Sequence, residues 1–246
     1  MKAFFYIPRK RYWIYVCLLF FILLYLLLAN RKLPQKVNRK WKLKATEHFL
    51  IYYEKDSPAQ NDIETLAGLL EKYFKESTQM FGLQIQEKIP YYFHSNINMP
   101  VWGYATDTDI HAIYSDVQKD SSPHELRHFI HRLVNPKAPY FFNEGACGFG
   151  IEIGGMDFHS RVRIFCADLP RYSLTELVEG FKKYGRLGDY MAYSFNSFLI
   201  EQYGENKFAR FYKEVTPQNW QALMEEKYGL AVREIETLWK AFLCPQ

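Results

Sequence analysis

Cysteine is scarce in this sequence: there are four among 246 residues, and no two of them form a CxxC pair. Structural zinc sites and dithiol redox sites are typically built from such pairs, so the cysteines predict neither kind of site. Cys147, Cys166 and Cys244 follow the N-terminal apolar segment, and this odd count excludes a complete disulfide framework. A single bridge between Cys147 and Cys166 stays open, but we expect small buried thiols.

Acidic residues are absent from the first 44 positions, which contain eleven Lys and Arg. The net charge of the whole chain is only +4, so the remainder is mildly acidic. A nucleic-acid-binding domain needs a basic face to neutralise phosphates. We therefore expect no nucleic-acid partner for the folded part of the chain.

Charged residues are also absent from positions 12–29, a run dominated by Leu, Phe, Ile, Tyr and Val. As a helix, this run would extend about 27 Å, which is enough to cross the hydrocarbon core of a bilayer. A cleaved signal peptide is the alternative, but it usually has a shorter apolar core and a small-x-small cleavage site, which is not found here. We therefore predict a basic tail at 1–11 and one transmembrane anchor at 12–29.

Residues 30–45 are predicted to form a basic linker. The linker could rest on anionic lipid head groups or be a solvated spacer, and both alternatives stay open. A count of positive charges alone would place the following domain in the cytoplasm, whereas a short basic tail before a first apolar helix is typical of a signal anchor. We expect a single-pass membrane protein with an extracytoplasmic domain at 46–246.

Strand patterns come first in that domain, and helical patterns follow. Alternating aromatic and β-branched residues predict strands at 48–53 and 89–94, and a hairpin of 101–105 with 110–114. Apolar residues with a period of 3.6 predict an amphipathic helix at 62–81, ended by Gly82. Spacing and cap signals predict further helices at 122–134, 140–151, 174–184, 189–203, 205–214, 217–227 and 231–242. Strands first and helices later predict an α+β domain.

Residues 124–128 read His-Glu-Leu-Arg-His, the HExxH pattern. Side chains four apart on a helix share one face, so His124 and His128 can bind one zinc ion. Glu125 can then act as general base toward water. A capping box of Ser122, Pro123 and Glu125 would explain the carboxylate without catalysis, but it does not explain the two histidines.

A third ligand has to come from elsewhere. His131 is seven residues after His124, roughly 10 Å along a helix, which is too far for both to bind one ion. We expect His131 behind the site or at the surface. Glu144 lies on the next predicted helix, and the 15 residues that separate it from His128 allow the chain to turn back.

Three segments together resemble the gluzincin metallopeptidases, and among these the small peptidase MA-like domains. They are His-Glu-Leu-Arg-His at 124–128, Asn-Glu-Gly-Ala at 143–146 and Asp-Tyr-Met-Ala-Tyr-Ser-Phe at 189–195. In order and spacing the resemblance covers most of residues 46–215. It implies a zincin-like fold, with a small N-terminal β-sheet and a helix followed by a helical C-terminal part.

The resemblance also implies a set of functional residues. His124, His128 and Glu144 would hold Zn²⁺, and Glu125 would be the general base. Tyr190 would donate a hydrogen bond to the developing oxyanion, in agreement with the chemistry of a neutral phenol near a metal. Tyr193, one helical turn further on, is the alternative donor.

These features predict a membrane-anchored zinc metallopeptidase that acts on a peptide or protein substrate. The Gly-x-Met-x-Asn signature of aminopeptidases is absent, which favours an endopeptidase. Arg127 departs from the family pattern and is expected to face solvent or an acid. Residues 102–105 could form an edge that pairs with an extended peptide, although we expect an ordinary core strand. The alternative function is an inactive, membrane-tethered binding or assembly protein, which the intact ligands and Glu125 disfavour.

Overall fold

The computed structural model describes residues 41–95, 103–115, 122–149, 158–167 and 169–244. Five strands in these ranges form one mixed sheet, in the order β1-β2-β3-β5-β4. The three central strands are parallel, and both edge strands are antiparallel to their neighbours. The strands are β1 (Trp41–Ala45), β2 (Phe49–Glu54), β3 (Ile89–His94), β4 (Gly103–Ala105) and β5 (Ile110–Ile113).

The two faces of the sheet differ in burial. Alternate residues of a strand point to opposite faces, and Phe49, Ile51, Tyr91 and Phe93 are fully buried on one of them. This face contributes to the main hydrophobic core together with the helices. The intervening residues, such as Tyr92, are only partly buried. The sheet therefore has a packed face and an open face.

Helices make up the rest of the described fold. The first two, α1 and α2, connect the parallel strands β2 and β3, and the others follow β5. The helices are α1 (Pro58–Asn61), α2 (Ile63–Phe81), α3 (Ser122–Val134), α4 (Tyr140–Cys147), α5 (Phe158–Arg163), α6 (Leu174–Glu179), α7 (Arg186–Tyr203), α8 (Glu205–Glu214), α9 (Trp220–Tyr228) and α10 (Val232–Leu243), with 3₁₀ turns at Leu169–Arg171 and Phe181–Lys183.

The predicted amphipathic helix at 62–81 is confirmed as α2. Leu66, Leu70 and Phe74 form its buried stripe at helical spacing. The helix ends at Gly82, which has a φ of 63°. Glycine adopts this left-handed conformation without steric cost, and the Gly82 N–H donates to the carbonyl of Gln79.

Several element boundaries differ from the predicted ones. Trp41–Ala45, placed in the basic linker, forms β1 along the edge of the sheet, where Lys42 and Lys44 are compatible with strand structure. The predicted helix at 174–184 is shorter, because Gly180 ends α6. The helix predicted from 217 begins at Trp220, because the Asn219 side chain accepts from the Thr216 N–H and holds a turn.

The expectation of small buried thiols is confirmed for Cys147 and wrong for Cys166 and Cys244. Cys166 and Cys244 form a bridge across a sequence separation of 78 residues, with Cα atoms 5.9 Å apart. Cys147, which the open alternative paired with Cys166, is a buried free thiol. The pairing depends on where the end of α10 packs, and residue spacing alone contains no information about that.

The predicted tail at 1–11, the anchor at 12–29 and the linker up to residue 40 lie outside the described residues. Among the helices that the structure does describe, none is both long and apolar enough to cross a membrane. The two longest, α2 and α7, carry charged side chains. We therefore do not retain the transmembrane helix in the fold class, and we do not retain the single-pass membrane localisation. The domain boundaries stay predictions.

Candidate metal centre

Helix α3 presents two histidines side by side. His124 and His128 are separated by about one helical turn, so their imidazoles project from the same face. The two Nε2 atoms lie 2.9 Å apart, and the rings meet edge to face. Both side chains are partly buried, so the pair is held at the edge of the protein interior.

Helix α4 brings a carboxylate to the same point. The Oε2 atom of Glu144 lies 3.4 Å from His124 Nε2, and its Oε1 atom lies 3.3 Å from His128 Nε2. Glu144 is buried. In the part of the chain that the structure describes, these three residues are the one group of three or more His, Cys, Asp or Glu that could hold a metal ion.

The three donor atoms fit a zinc ion. Tetrahedral zinc with bonds of about 2.1 Å places neighbouring donor atoms about 3.4 Å apart. The observed separations are 2.9, 3.3 and 3.4 Å. Two imidazoles and one carboxylate, with a fourth position left open, also form the donor set of catalytic rather than structural zinc sites.

Asn143 fixes the orientation of His128. The Nδ1 atom of His128 lies 2.8 Å from the Oδ1 atom of Asn143, an acceptor for a proton on that nitrogen. When Nδ1 carries the proton and Nε2 is deprotonated, as metal binding requires, the Nε2 lone pair faces Glu144 and His124. The Sγ atom of Cys147 lies 3.2 Å from the same Nδ1 atom. A partner on the outer nitrogen of a ligand histidine selects the tautomer and limits ring rotation. The adjacent residues Asn143 and Glu144 therefore both contact His128: Asn143 lies at Nδ1 and Glu144 at Nε2.

Glu125 lies against the edge of the sheet. A Cβ atom on Gly103 would come within 2.6 Å of the Glu125 Cγ atom, so the absence of a side chain lets β4 approach α3 closely. Burial raises the pKa of Glu125, the charges of His124 and His128 lower it, and the net pKa lies above its usual value. A carboxylate with a raised pKa is a better proton acceptor at neutral pH.

Glu144 has the opposite electrostatic environment. Burial raises the pKa of its carboxyl, but hydrogen bonds with His124 and His128 outweigh burial and hold the pKa well below its usual range. The carboxylate is therefore ionised at neutral pH. Two neighbouring acids thus differ, one suited to accept a proton and one to remain a charged ligand.

The two tyrosines proposed as oxyanion donors occupy different places on α7. The ring of Tyr190 lies 5.6 Å from the guanidinium of Arg161. The ring of Tyr193 is buried, and its centroid lies 6.1 Å from that of His124. Tyr193 also covers Gly148, where a Cβ atom would overlap its ring. The structure therefore brings Tyr193, rather than Tyr190, beside the histidine pair.

Two residues near Glu144 were missed in the sequence. Burial raises the pKa of Tyr140, and the charge and a hydrogen bond of Glu144 raise it further. Burial likewise raises the pKa of Asp189, with Glu144 again adding to the shift. Tyr140 precedes Glu144 by one helical turn, and that spacing is the signal that could have indicated it.

Arg127 is buried and does not face open solvent, so that alternative is wrong; it lines a cavity together with the acidic residue Glu76. Its guanidinium is buried and donates to the backbone carbonyls of Cys147 and Phe149, where α4 ends. It also lies 5.5 Å from the centre of the Tyr73 ring. Arg127 therefore connects the helix that carries the histidines to the helix that carries Glu144.

His131 lies behind the centre and is not a member of the cluster. Its ring is buried between Phe81 and Tyr212, with centroid distances of 5.2 Å to each. Its Nδ1 atom lies 3.4 Å from Cys147 Sγ. Burial lowers the pKa of His131 well below its usual value, so this imidazole stays neutral.

No protein-family model matches the chain, and no curated protein matches it. Similar solved structures are M1 zinc metallopeptidases: one from Deinococcus radiodurans bound to a Tyr-Ser-Ala substrate, a second from the same organism, and a two-domain M1 zinc metallopeptidase bound to L-tryptophan. Their TM-scores are 0.44, 0.45 and 0.43, each at 10% identity. Each match covers 82% of this chain and 51% of the other, so the chain spans about half the length of these proteins. A likeness at this level establishes neither family membership nor activity, and the assignment to the peptidase MA-like domains stays a prediction.

Proposed function

We propose that this protein is a zinc-dependent peptidase in which His124, His128 and Glu144 hold the metal. The observation that supports this most directly is the convergence of three donor atoms from two helices, at separations of 2.9, 3.3 and 3.4 Å. The tautomer held by Asn143 supports it further, because the outer nitrogen of His128 is already engaged.

Different residues of the chain perform different steps of the proposed hydrolysis. Zinc, when bound, would supply the positive charge that polarises the scissile carbonyl and acidifies a water molecule. Glu125 takes the proton of the attacking water and delivers it to the leaving amine, a role for which its raised pKa suits it. Glu144 would serve as the charged ligand, because its carboxylate is already ionised beside the two histidines in the metal-free site.

We assign the oxyanion donor to Tyr193 rather than Tyr190. Tyr193 lies beside His124, and burial together with the charge of Glu144 raises its pKa well above the usual value. Its phenol therefore remains protonated and can donate to a developing negative charge without competing for the metal. The ring of Tyr190 instead packs against the guanidinium of Arg161.

An extended peptide or protein chain is the substrate we propose. Within the described residues β4 pairs only with β5, so its other edge carries unpaired backbone groups beside Glu125. A peptide added to that edge would receive main-chain hydrogen bonds next to the general base. This favours internal cleavage of an extended segment, so we propose an endopeptidase.

Metal analysis combined with a cleavage assay tests the proposal. The full chain, stripped of metal and reloaded with zinc, should retain about one zinc at this site and cleave an unfolded protein substrate. His124→Ala should lose both this zinc and the activity. Glu125→Gln should keep the zinc and lose activity by about 10²–10⁴-fold.

Glu225→Gln is the matched control, because Glu225 is an exposed carboxylate on α9, outside the group of three candidate ligands, and should change neither quantity. An unchanged zinc content in His124→Ala would remove the basis of the proposal. Zinc binding without cleavage, in wild type as in Glu125→Gln, would point to the binding-protein alternative.

A further inference from the structure

A cavity of about 570 Å³ lies between α2, α3, α4 and the start of α8. Cavities of this size are typical of small-molecule binding sites. The residues that line it include Arg127 and His131, which are buried, and Glu76 and Glu205, which are exposed. The cavity therefore has a buried polar inner end and an acidic mouth formed by Glu76 and Glu205. The proposed hydrolysis uses none of these four side chains.

Arg127 presents unused hydrogen-bond donors to this cavity. Its Nη1 group donates to the carbonyls of Cys147 and Phe149. Its Nε and Nη2 groups have no partner in the described part of the chain, and they are not among the enclosed polar atoms that lack a partner. Because the residue as a whole is buried, these groups open onto the cavity. A guanidinium with free donors is suited to bind a carboxylate, which can accept two parallel N–H bonds.

His131 adds a second buried polar group at the inner end. Its Nδ1 atom lies 3.4 Å from the Sγ atom of Cys147, and its Nε2 atom has no partner among the described residues. When the thiol donates to Nδ1, the ring proton is on Nε2, which can then donate to a ligand. Burial lowers the pKa of His131 well below its usual value, so the imidazole provides a donor without a charge.

The formal charges along the cavity sum to zero. Arg127 and Lys72 are positive, and the two acids of the mouth are negative. Lys72 lies 3.9 Å from Glu76, whereas neither acid forms an ion pair with Arg127. The two carboxylates would repel a polyanion such as phosphate. A ligand with one negative and one positive charge is complementary to both ends of the cavity.

We propose that this cavity binds a free α-amino acid, with its carboxylate at Arg127 and His131 and its ammonium group toward the acidic mouth. Tyr73 and Phe149 line the same cavity and would contact an apolar side chain of the ligand. The ring of Tyr73 already lies 5.5 Å from the Arg127 guanidinium, so this wall is in place. The site includes none of the three proposed metal ligands, and the inference depends neither on zinc nor on peptidase activity.

Isothermal titration of the metal-stripped full chain with L-phenylalanine tests this inference. Wild type should bind about one equivalent. Phenylpropionate lacks the ammonium group and phenethylamine lacks the carboxylate, so each should bind about 10-fold more weakly or worse. Equal affinity for all three compounds, or no binding of L-phenylalanine, would overturn the proposal.

Variants at the two ends of the cavity test its charges separately. Arg127→Lys keeps the positive charge but loses the planar pair of donors, and it should raise the Kd for L-phenylalanine by about 10–100-fold. The double variant Glu76→Gln, Glu205→Gln alters only exposed side chains, so the fold should be preserved. It should raise the Kd for L-phenylalanine by about 10-fold and should not raise the Kd for phenylpropionate.

Two control variants complete the experiment. Glu225→Gln removes an exposed carboxylate of α9 and should leave the affinity for L-phenylalanine unchanged. His124→Ala removes a proposed metal ligand and should also bind L-phenylalanine as wild type does, whether or not the protein is a peptidase. Loss of binding in His124→Ala would place the amino acid at the metal centre and overturn the cavity site. Unchanged affinity in the double variant would overturn the role of the acidic mouth and, with it, the proposal.

Discussion

At the scale of single residues, Asn143 lies outside the three proposed ligands but contacts one of them, His128. Its Oδ1 atom lies 2.8 Å from His128 Nδ1 and fixes which nitrogen of that ring faces Glu144. Without this acceptor, the imidazole can rotate and exchange tautomers, and both changes oppose ligation.

Replacement of Asn143 should therefore weaken zinc binding without touching a ligand. We expect Asn143→Ala to raise the Kd for zinc at the proposed site of His124, His128 and Glu144 by about 10–100-fold. A chelator competition assay measures this, with Asn206→Ala, an exposed asparagine on α8, as the control. Equal zinc affinities for both variants would show that the Asn143 contact has no role in orienting His128.

The choice between two tyrosines is also made at the scale of single residues. Tyr193→Phe should lower kcat by about 10²-fold while zinc content is unchanged, because the hydroxyl that stabilises the oxyanion is lost. Tyr190→Phe keeps the aromatic ring that contacts Arg161 and should have nearly wild-type activity. Steady-state cleavage kinetics of the two variants compare them directly. A larger loss in Tyr190→Phe would reverse the assignment.

At the scale of elements, the centre depends on how closely three helices approach one another. Gly145 and Gly148 allow α4 to pack tightly on α7, since a Cβ atom at either position would overlap side chains of α7. Arg127 then joins α3 to the end of α4 through two carbonyl groups. Histidines, carboxylate and tyrosine thus come from three helices held together by contacts that bind no substrate.

Removal of the Arg127 guanidinium should loosen this arrangement. Arg127→Met leaves the carbonyls of Cys147 and Phe149 without their donor, so we expect the free energy of unfolding to fall by about 1–3 kcal/mol. Arg132→Met is the control, since Arg132 is partly exposed and pairs with Asp107 at the surface, where an ion pair contributes less than about 1 kcal/mol. Urea unfolding of both variants gives the two differences. Equal decreases in the free energy of unfolding would argue that Arg127 does not stabilise the contact between α3 and α4.

At the scale of the whole molecule, one covalent link joins distant parts of the helical half. The Cys166–Cys244 bridge closes a loop of 78 residues that includes α6, α7 and the helices up to α10. A cross-link over a loop of this length restricts the unfolded chain and stabilises the folded one by about 4 kcal/mol.

The double variant Cys166→Ser, Cys244→Ser should therefore lower the unfolding free energy by about 4 kcal/mol. Reductant should lower the urea midpoint of wild type in the same direction and leave the double variant unaffected. Identical midpoints for oxidised wild type and the double variant would mean that the bridge adds no stability.

Local sequence patterns predicted much of the fold because helix and strand formation depends largely on interactions between residues that are close in sequence. The apolar period of α2 and its terminal glycine depend on residues a few positions apart, and both were readable. Edge strand β1 was not, because its basic residues are compatible with a solvated linker as well as with an exposed strand. The predicted transmembrane helix falls outside the described residues. No helix within them is long and apolar enough to cross a membrane.

The sequence by itself determined that His124 and His128 share one helix face, since a spacing of four has this consequence in any α-helix. It also named Glu144 as the candidate carboxylate from its place on the following helix. Only the tertiary structure decided that Tyr193 rather than Tyr190 lies beside the histidines, that Arg127 is buried, and that Cys166 joins Cys244. Those outcomes depend on how whole helices pack against each other, and packing is a property of contacts between residues that are far apart along the chain.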